Sequence, residues 1–194
     1  MKKITFLDFL RYNYSKSFAF FKESKTFILF SCTLFLLFFI IGFVFPIFFR
    51  EEIFKFIFDM KDIFTGRSIP WMISFIFFNN LKASAFAIIF GIILGILPLL
   101  TVVVNGYLVG FVSREVVSVE GISAMWRLVP HGIFELPAII FSIGLGLKIG
   151  MSIFSKKRAI KYNFKESIRF FVFVVFPLLL IAAIIEGVLL GLSA

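Results

Sequence analysis

The chain has 194 residues, of which 61% are apolar, 16% charged and 20% aromatic. A soluble domain contains about 45–50% apolar and about 25% charged residues, so the composition excludes an ordinary soluble enzyme and a disordered chain. A single cysteine, Cys32, excludes a disulfide scaffold. The net charge of +9 does not indicate nucleic-acid binding, because the positive side chains flank long apolar stretches.

Apolar stretches of membrane-spanning length recur along the chain and predict an all-α, polytopic transmembrane helical bundle. About five spans are expected, within a single integral membrane domain. Interfacial amphipathic helices are predicted before the first span, in residues 1–25, and after it, in residues 50–66. A capping box at Asn163–Glu166 is predicted to open the last span. The predicted spans are residues 27–48, 70–94, 98–113, 128–148 and 168–192.

Charge counts in the connections predict the orientation of the chain. Residues 1–26 hold six Lys and Arg against two acids, and residues 148–169 hold seven against one. The connections at 50–69 and 113–127 are balanced, with four and two of each sign. Positive flanks stay cytoplasmic, so we expect a cytoplasmic N-terminus and an extracytoplasmic C-terminus. Residues 69–112 must then cross twice or form a re-entrant hairpin, and two spans with a turn near Pro98 are favoured.

Four pairs of glycines are spaced by four residues, each on a different predicted span. In lipid, such pairs allow helix backbones to approach closely, so they indicate a tightly packed bundle. They favour packing within the chain, although a homodimer interface stays open. The pairs are Gly91 and Gly95, Gly106 and Gly110, Gly146 and Gly150, and Gly187 and Gly191.

Six polar residues from four spans are predicted to form a cluster in the outer half of the membrane. Ionisable groups at such depth are costly and usually mark function. His131 and Glu135 are four residues apart on one helical face, a spacing that suits a divalent metal such as zinc, with Glu186 as a further ligand. A structural role, as an ion pair or hydrogen bonds that hold the helices together, is the favoured interpretation, and the metal site and a proton or substrate path are the alternatives. The predicted cluster comprises Asn79, Asn80, Asn105, His131, Glu135 and Glu186.

These same segments resemble the stage II sporulation protein M family. The resemblance lies in Phe78-Asn79-Asn80, in Asn105-Gly106, and above all in the segment Pro130–Ala138 with its histidine, glutamate and Pro137. It implies a multi-pass helical protein. In endospore formers the family member is regarded as a membrane component of a septal complex with peptidoglycan-degrading partners, and not as the hydrolase itself. The family signature falls on Asn79, Asn80, Asn105, Gly106, His131, Gly132, Glu135 and Pro137.

The prediction for function is therefore a cell-membrane scaffold, or component, of a cell-envelope complex, and not an enzyme. Its expected partners are the lipid bilayer, cell-envelope proteins and a second copy of the chain, with no nucleic acid. One alternative is a membrane-embedded metalloprotein, such as a hydrolase, that uses His131 and Glu135. A transporter or channel component is the other alternative. No cofactor is assigned beyond the divalent metal of the first alternative.

Overall fold

The computed structural model describes residues 5–93, 95–127, 129–154 and 157–193, and within them every regular element is helical. Five helical segments of this part of the chain are long and apolar enough to cross a membrane. The all-α bundle is therefore confirmed. The helices are α1 (Phe6–Val44), α2 (Arg50–Phe64), α3 (Ile69–Ile89), α4 (Ile96–Glu120), α5 (Val129–Met151), α6 (Lys157–Phe170) and α7 (Phe176–Ser193).

The N-terminal segment differs from its sequence prediction, since α1 is one uninterrupted helix of 39 residues. The predicted interfacial helix and first span have no break between them, because neither glycine nor proline occurs before Gly42. At 1.5 Å per residue α1 is about 58 Å long, nearly twice the hydrocarbon thickness. Its start is a capping box in which Thr5 and Asp8 bond each other, and this lowers the pKa of the Asp8 carboxyl.

Helices α3 and α4 form a hairpin of two full-length helices. A short 3₁₀ turn, Phe90–Ile92, extends α3, and Gly95 takes a left-handed conformation (φ 71°) that favours glycine at the connection. Helix α4 continues to Glu120, seven residues past the predicted end of the third span, and stops before Gly121 (φ 83°). The helix continues through Arg114, which lies over the ring of Phe43, and Glu115, which pairs with Arg50.

Helices α6 and α7 are joined by a π-helical turn, Phe171–Val175, without a break. The predicted capping box at Asn163–Glu166 is therefore wrong as a helix start, since both residues lie inside α6. Glu166 instead forms an ion pair with Arg169, and the Arg169 Nε donates to Asn13 Oδ1 of α1 at 3.1 Å. Because α6 packs against α1 at this point, the polar residues Asn163 and Glu166 of α6 are buried.

Helix α5 is the central helix, and every residue from 142 to 150 is buried. Two of its glycines contact other backbones directly: a Cβ on Gly144 would lie 2.9 Å from the Cα of Ile28, and Gly146 contacts the carbonyl of Ala87. Glycines in the other predicted pairs also make close contacts within the chain, most of them with backbone atoms and, at Gly191, with a side chain. Gly106 and Gly110 face the carbonyls of Phe35 and Phe39, and Gly91, Gly95 and Gly150 meet one another, while Gly187 and Gly191 pack on Ile73 and Ile69.

Helix α2 lies at the end of the bundle opposite to α6 and is held there by polar contacts with α4. The hydroxyl of Tyr107 accepts a hydrogen bond from the backbone N–H of Phe48 at 2.9 Å and lies 3.1 Å from the carbonyls of Phe45 and Phe48. Arg50 pairs with Glu115 through two nitrogens, at 2.9 and 3.4 Å. These contacts fix the connection between α1 and α2.

Candidate intramembrane site

Three helices bring three of the predicted polar residues together. Asn80 of α3 lies near the Glu135 carboxylate on α5, and Glu186 of α7 is close enough to Glu135 for their charges to interact. The glycine next to Glu186 explains this approach. A Cβ on Gly187 would lie 2.5 Å from Ile73 Cγ1 and 3.0 Å from its backbone nitrogen, so only glycine lets α7 lie this close to α3.

The two glutamates line one cavity of about 460 Å³. Its remaining walls are almost entirely apolar, with contributions from α1, α4, α5 and the segment between α4 and α5. Its lining is Phe39, Leu108, Val109, Val112, Ser113, Met125, Val129, Gly132, Ile133, Glu135, Leu136 and Glu186. A pair of carboxylates therefore faces an apolar space within the membrane-spanning part of the bundle.

Pro137 adds an uncompensated oxygen near this cavity. It lies inside α5 and has no N–H, so the carbonyl of Ile133, four residues earlier, lacks its usual helical partner. Carboxylate, carbonyl and amide oxygens are hard ligands for cations. Two carboxylates in an apolar environment repel each other unless a proton or a cation lies between them. The arrangement can therefore hold a cation or share a proton.

The structure places the other predicted site residues elsewhere or leaves them undescribed. Asn79 is exposed and, with Lys82, lines a groove on the outer face of α3, because consecutive helical residues point about 100° apart. The amide of Asn105 donates to the carbonyl of Thr101 on its own helix at 2.8 Å. The side chain of His131 lies outside the described part of the structure, so the predicted pairing of His131 with Glu135 is not described.

The metal site predicted from the sequence uses His131, Glu135 and Glu186. Among the described side chains, no three His, Cys, Asp or Glu residues gather closely enough to hold a metal ion. Glu135 and Glu186 supply two carboxylates, and the side-chain amide of Asn80 lies near the carboxylate of Glu135. A zinc centre of the predicted type would need a further protein ligand beyond the two glutamates.

A second polar group lies where α1, α5 and α6 meet, and the sequence analysis missed it. The buried Lys148 donates to Ser24 Oγ at 3.1 Å, pairs with Glu23 at 3.7 Å and lies 4.1 Å above the ring centroid of Phe20. The hydroxyl of Tyr162 also donates to Glu23, at 3.1 Å. The available signal is a lysine two residues from each of two glycines, Gly146 and Gly150, at the end of an apolar span, and the sequence analysis counts it only as a flanking charge.

The family model for stage II sporulation protein M matches residues 31–189. The chain belongs to the stage II sporulation protein M family. An uncharacterized protein of Methanocaldococcus jannaschii is 32% identical over 117 residues, which are 56% of this chain and 51% of that protein. The chain thus covers about half the length of this curated relative. No solved structure matches the chain.

Membership of the stage II sporulation protein M family agrees with the five apolar helices, and the chain is a multi-pass membrane protein. The matched residues include Asn80, Glu135 and Glu186, together with the outer face of α3. They begin inside α1, so Glu23 and Ser24 lie outside the match. The carboxylate cavity therefore falls within the part of the chain that matches the family model, whereas Phe20, Glu23 and Ser24 of the Lys148 group lie outside it.

Proposed function

We propose that the chain is a non-enzymatic membrane component that assembles with other proteins of the cell envelope. The observation that carries the proposal is the outer face of α3. It presents Asn79 and Lys82, both exposed, from the middle of a membrane-spanning helix. Polar residues at such depth nearly always face protein or water and not lipid, so this face calls for a neighbour outside the described chain.

The form of the chain supports the same proposal. Its described residues are almost entirely membrane-spanning helices and the short helices α2 and α6. Exposed aromatic side chains also cover the first turns of α1, where Phe6 is 72% and Phe18 60% exposed. The family membership adds the precedent of an envelope protein that acts through assembly.

A photocrosslinking amino acid at Phe78 tests the proposal in the cells from which the chain comes. Phe78 lies between Trp71 and Lys82 on the outer face of α3 and is 55% exposed. We expect crosslinks to another envelope protein. We also expect that protein to co-purify with the chain when a polymer extracts both from the membrane as bilayer discs. Phe30 of α1, 52% exposed in an apolar environment, is the control position and should give few crosslinks. A particle containing this chain alone, without crosslinks at Phe78, would contradict the proposal.

A second candidate function is an intramembrane cation centre, which would include a hydrolytic metalloprotein. It is favoured by the common cavity of Glu135 and Glu186 with Asn80 beside them. Metal analysis of protein purified without chelators tests it, with the double variant Glu135→Gln, Glu186→Gln as comparison. Glu115→Gln is the matched control, because that carboxylate pairs with Arg50 away from the cavity. Equal metal content in wild type and double variant would remove this candidate.

A further inference from the structure

We infer that the outer face of α3 binds a transmembrane helix of another protein that carries an Asp or Glu at mid-membrane depth. This inference rests on the proposed function and specifies the chemistry of the partner. Its central residue is Lys82, which is exposed and has no hydrogen bond or ion pair among the described residues. Trp71, Ser74, Phe75, Phe78 and Asn79 line the same groove, of about 350 Å³.

Lys82 lies near the middle of its span. The helix and its 3₁₀ extension cover Ile69–Ile92, which is 24 residues. Lys82 is thirteen residues from one end and ten from the other, or roughly 20 and 15 Å at the rise of a helix. A lysine side chain extends by only about 6 Å, five bonds of about 1.5 Å in a zigzag, so its ammonium group cannot reach either interface by extension alone.

Lys82 is exposed on one side of α3, whereas the residues on the other side of this helix face the bundle. Asn80, two residues before Lys82, points toward Glu135 inside the bundle. Met72, Ile76, Ala87 and Ile88 are buried on the inner side. The glutamates of the cavity are therefore on the far side of α3 from Lys82 and do not neutralise its charge.

The composition of the outer face fits a protein partner. Phe78 and Phe86 are each 55% exposed on either side of Lys82, and Trp71 stacks on Phe75 with ring centroids 5.2 Å apart. Aromatic side chains are enriched at the centres of protein interfaces, and a charged group at mid-membrane depth needs a partner of opposite charge or water. A facing carboxylate would pair with the ammonium group, and the Asn79 amide could donate to the same carboxylate.

A second copy of the chain is a poorer occupant than a different protein. Two-fold pairing through α3 would place each residue at the depth of its own counterpart. Lys82 would then face Lys82 of the other copy, and like charges repel strongly where the dielectric constant is low. Charge complementarity therefore selects an acidic partner helix.

A synthetic helix provides the probe, because it presents the required chemistry without the native partner. It is a labelled polyleucine peptide of about 20 residues with one Glu at its centre, and otherwise identical peptides carry Gln or Leu there. Binding to the full chain in bilayer discs at pH 7.5 is followed by fluorescence anisotropy. We expect the Glu peptide to bind at least tenfold more tightly than the Leu peptide. Lys82→Met should abolish that difference, and Lys82→Arg should retain it.

Lys61→Met is the matched control, because it removes an exposed lysine from α2 and leaves the groove intact. Equal binding of all three peptides, or a preference that survives in Lys82→Met, would overturn the inference. Equal binding of the Gln and Glu peptides would overturn the charge pairing, and a shift of self-association in Lys82→Met would assign the face to a second copy. The proposed function fails separately, if Phe78 gives no crosslinks in cells.

Discussion

Glycine residues with no room for a methyl group determine how closely the helices of this bundle pack. Gly146 and Gly132 both lie on α5, but their surroundings differ. A Cβ on Gly146 would lie 2.9 Å from Pro98 Cγ and 3.0 Å from the carbonyl carbon of Ala87, whereas a Cβ on Gly132 would meet only Leu136 Cδ1, at 3.9 Å. The same substitution should therefore have opposite effects at the two sites.

We predict that Gly146→Ala lowers the free energy of unfolding by about 1–3 kcal/mol, because two backbones must separate. Gly132→Ala should leave it unchanged or raise it by up to about 1 kcal/mol, since alanine favours the helix. Both free-energy changes are measured by following the loss of helicity while sodium dodecyl sulfate is titrated into the protein in detergent. Equal destabilisation by the two variants would contradict the packing described for α5.

The buried Lys148 supports a second prediction at single-residue scale. Ser24→Ala removes the oxygen that accepts from its ammonium group, and a buried charge that loses a partner is destabilising by about 1–3 kcal/mol. In a Lys148→Met background the same substitution should have a smaller effect, with a coupling of roughly 0.5–3 kcal/mol. A double-mutant cycle by the same titration measures it.

Ser142→Ala is the control for this cycle. Ser142 is also buried and also donates to a carbonyl of its own helix, that of Ala138 at 2.9 Å, as Ser24 donates to Phe20 at 2.7 Å. The effects of Ser142→Ala and Lys148→Met on the free energy of unfolding should be additive. If the effects of Ser24→Ala and Lys148→Met are additive as well, the contact between Ser24 and Lys148 contributes no stability.

At the scale of single residues the sequence predicted more about depth than about direction. Asn79 and Asn80 share nearly the same predicted depth, which places both in one predicted cluster, yet only Asn80 lies near Glu135. The two faces of α3 are both apolar and aromatic, so its sequence carries no periodicity that marks the inner side. Contact between α3, α5 and α7 was needed to distinguish the two asparagines.

For the helices, the sequence predicts that an element exists better than it predicts where that element begins and ends. Five spans follow from the length of the apolar stretches alone. The junction between the predicted interfacial helix and the predicted first span lies inside α1 and carries no breaking residue. Helix α6 also continues into α7 through the π-helical turn, although Pro177 follows that turn. The sequence analysis ends a predicted span near its first charged residue, but a helix can continue through charged residues outside the bilayer.

Helix α2 provides a prediction at this scale. Tyr107→Phe removes the hydroxyl that binds the backbone of Phe45 and Phe48, a change of about 1 kcal/mol for a net hydrogen bond. Amide exchange of residues 50–64 should accelerate roughly fivefold, and exchange in α5 should not change. Hydrogen-exchange mass spectrometry in detergent measures both regions.

Tyr162→Phe is the comparison variant, since its hydroxyl binds Glu23 at the opposite end of the bundle. It should leave exchange of residues 50–64 unaltered. If Tyr107→Phe also has no effect there, the polar contacts of Tyr107 do not hold α2 against α4.

For the whole molecule the orientation in the membrane is a prediction from charge. The excess of Lys and Arg in residues 1–26 and 148–169 predicts that both are cytoplasmic. Alkaline phosphatase fused after Gly66 or Ala194 should be active, and phosphatase fused after Gly95 should be inactive. Green fluorescent protein fused before Met1 should be fluorescent. Activity after Gly95 would contradict two full crossings by α3 and α4.

The length of α1 has a mechanical consequence. Its first half packs on α6 through Asn13 and Arg169, while Phe39, near its other end, forms part of the wall beside the two glutamates. No glycine or proline lies between these positions to act as a hinge. A displacement at the start of α1 would therefore be transmitted to that wall through an unbroken helix.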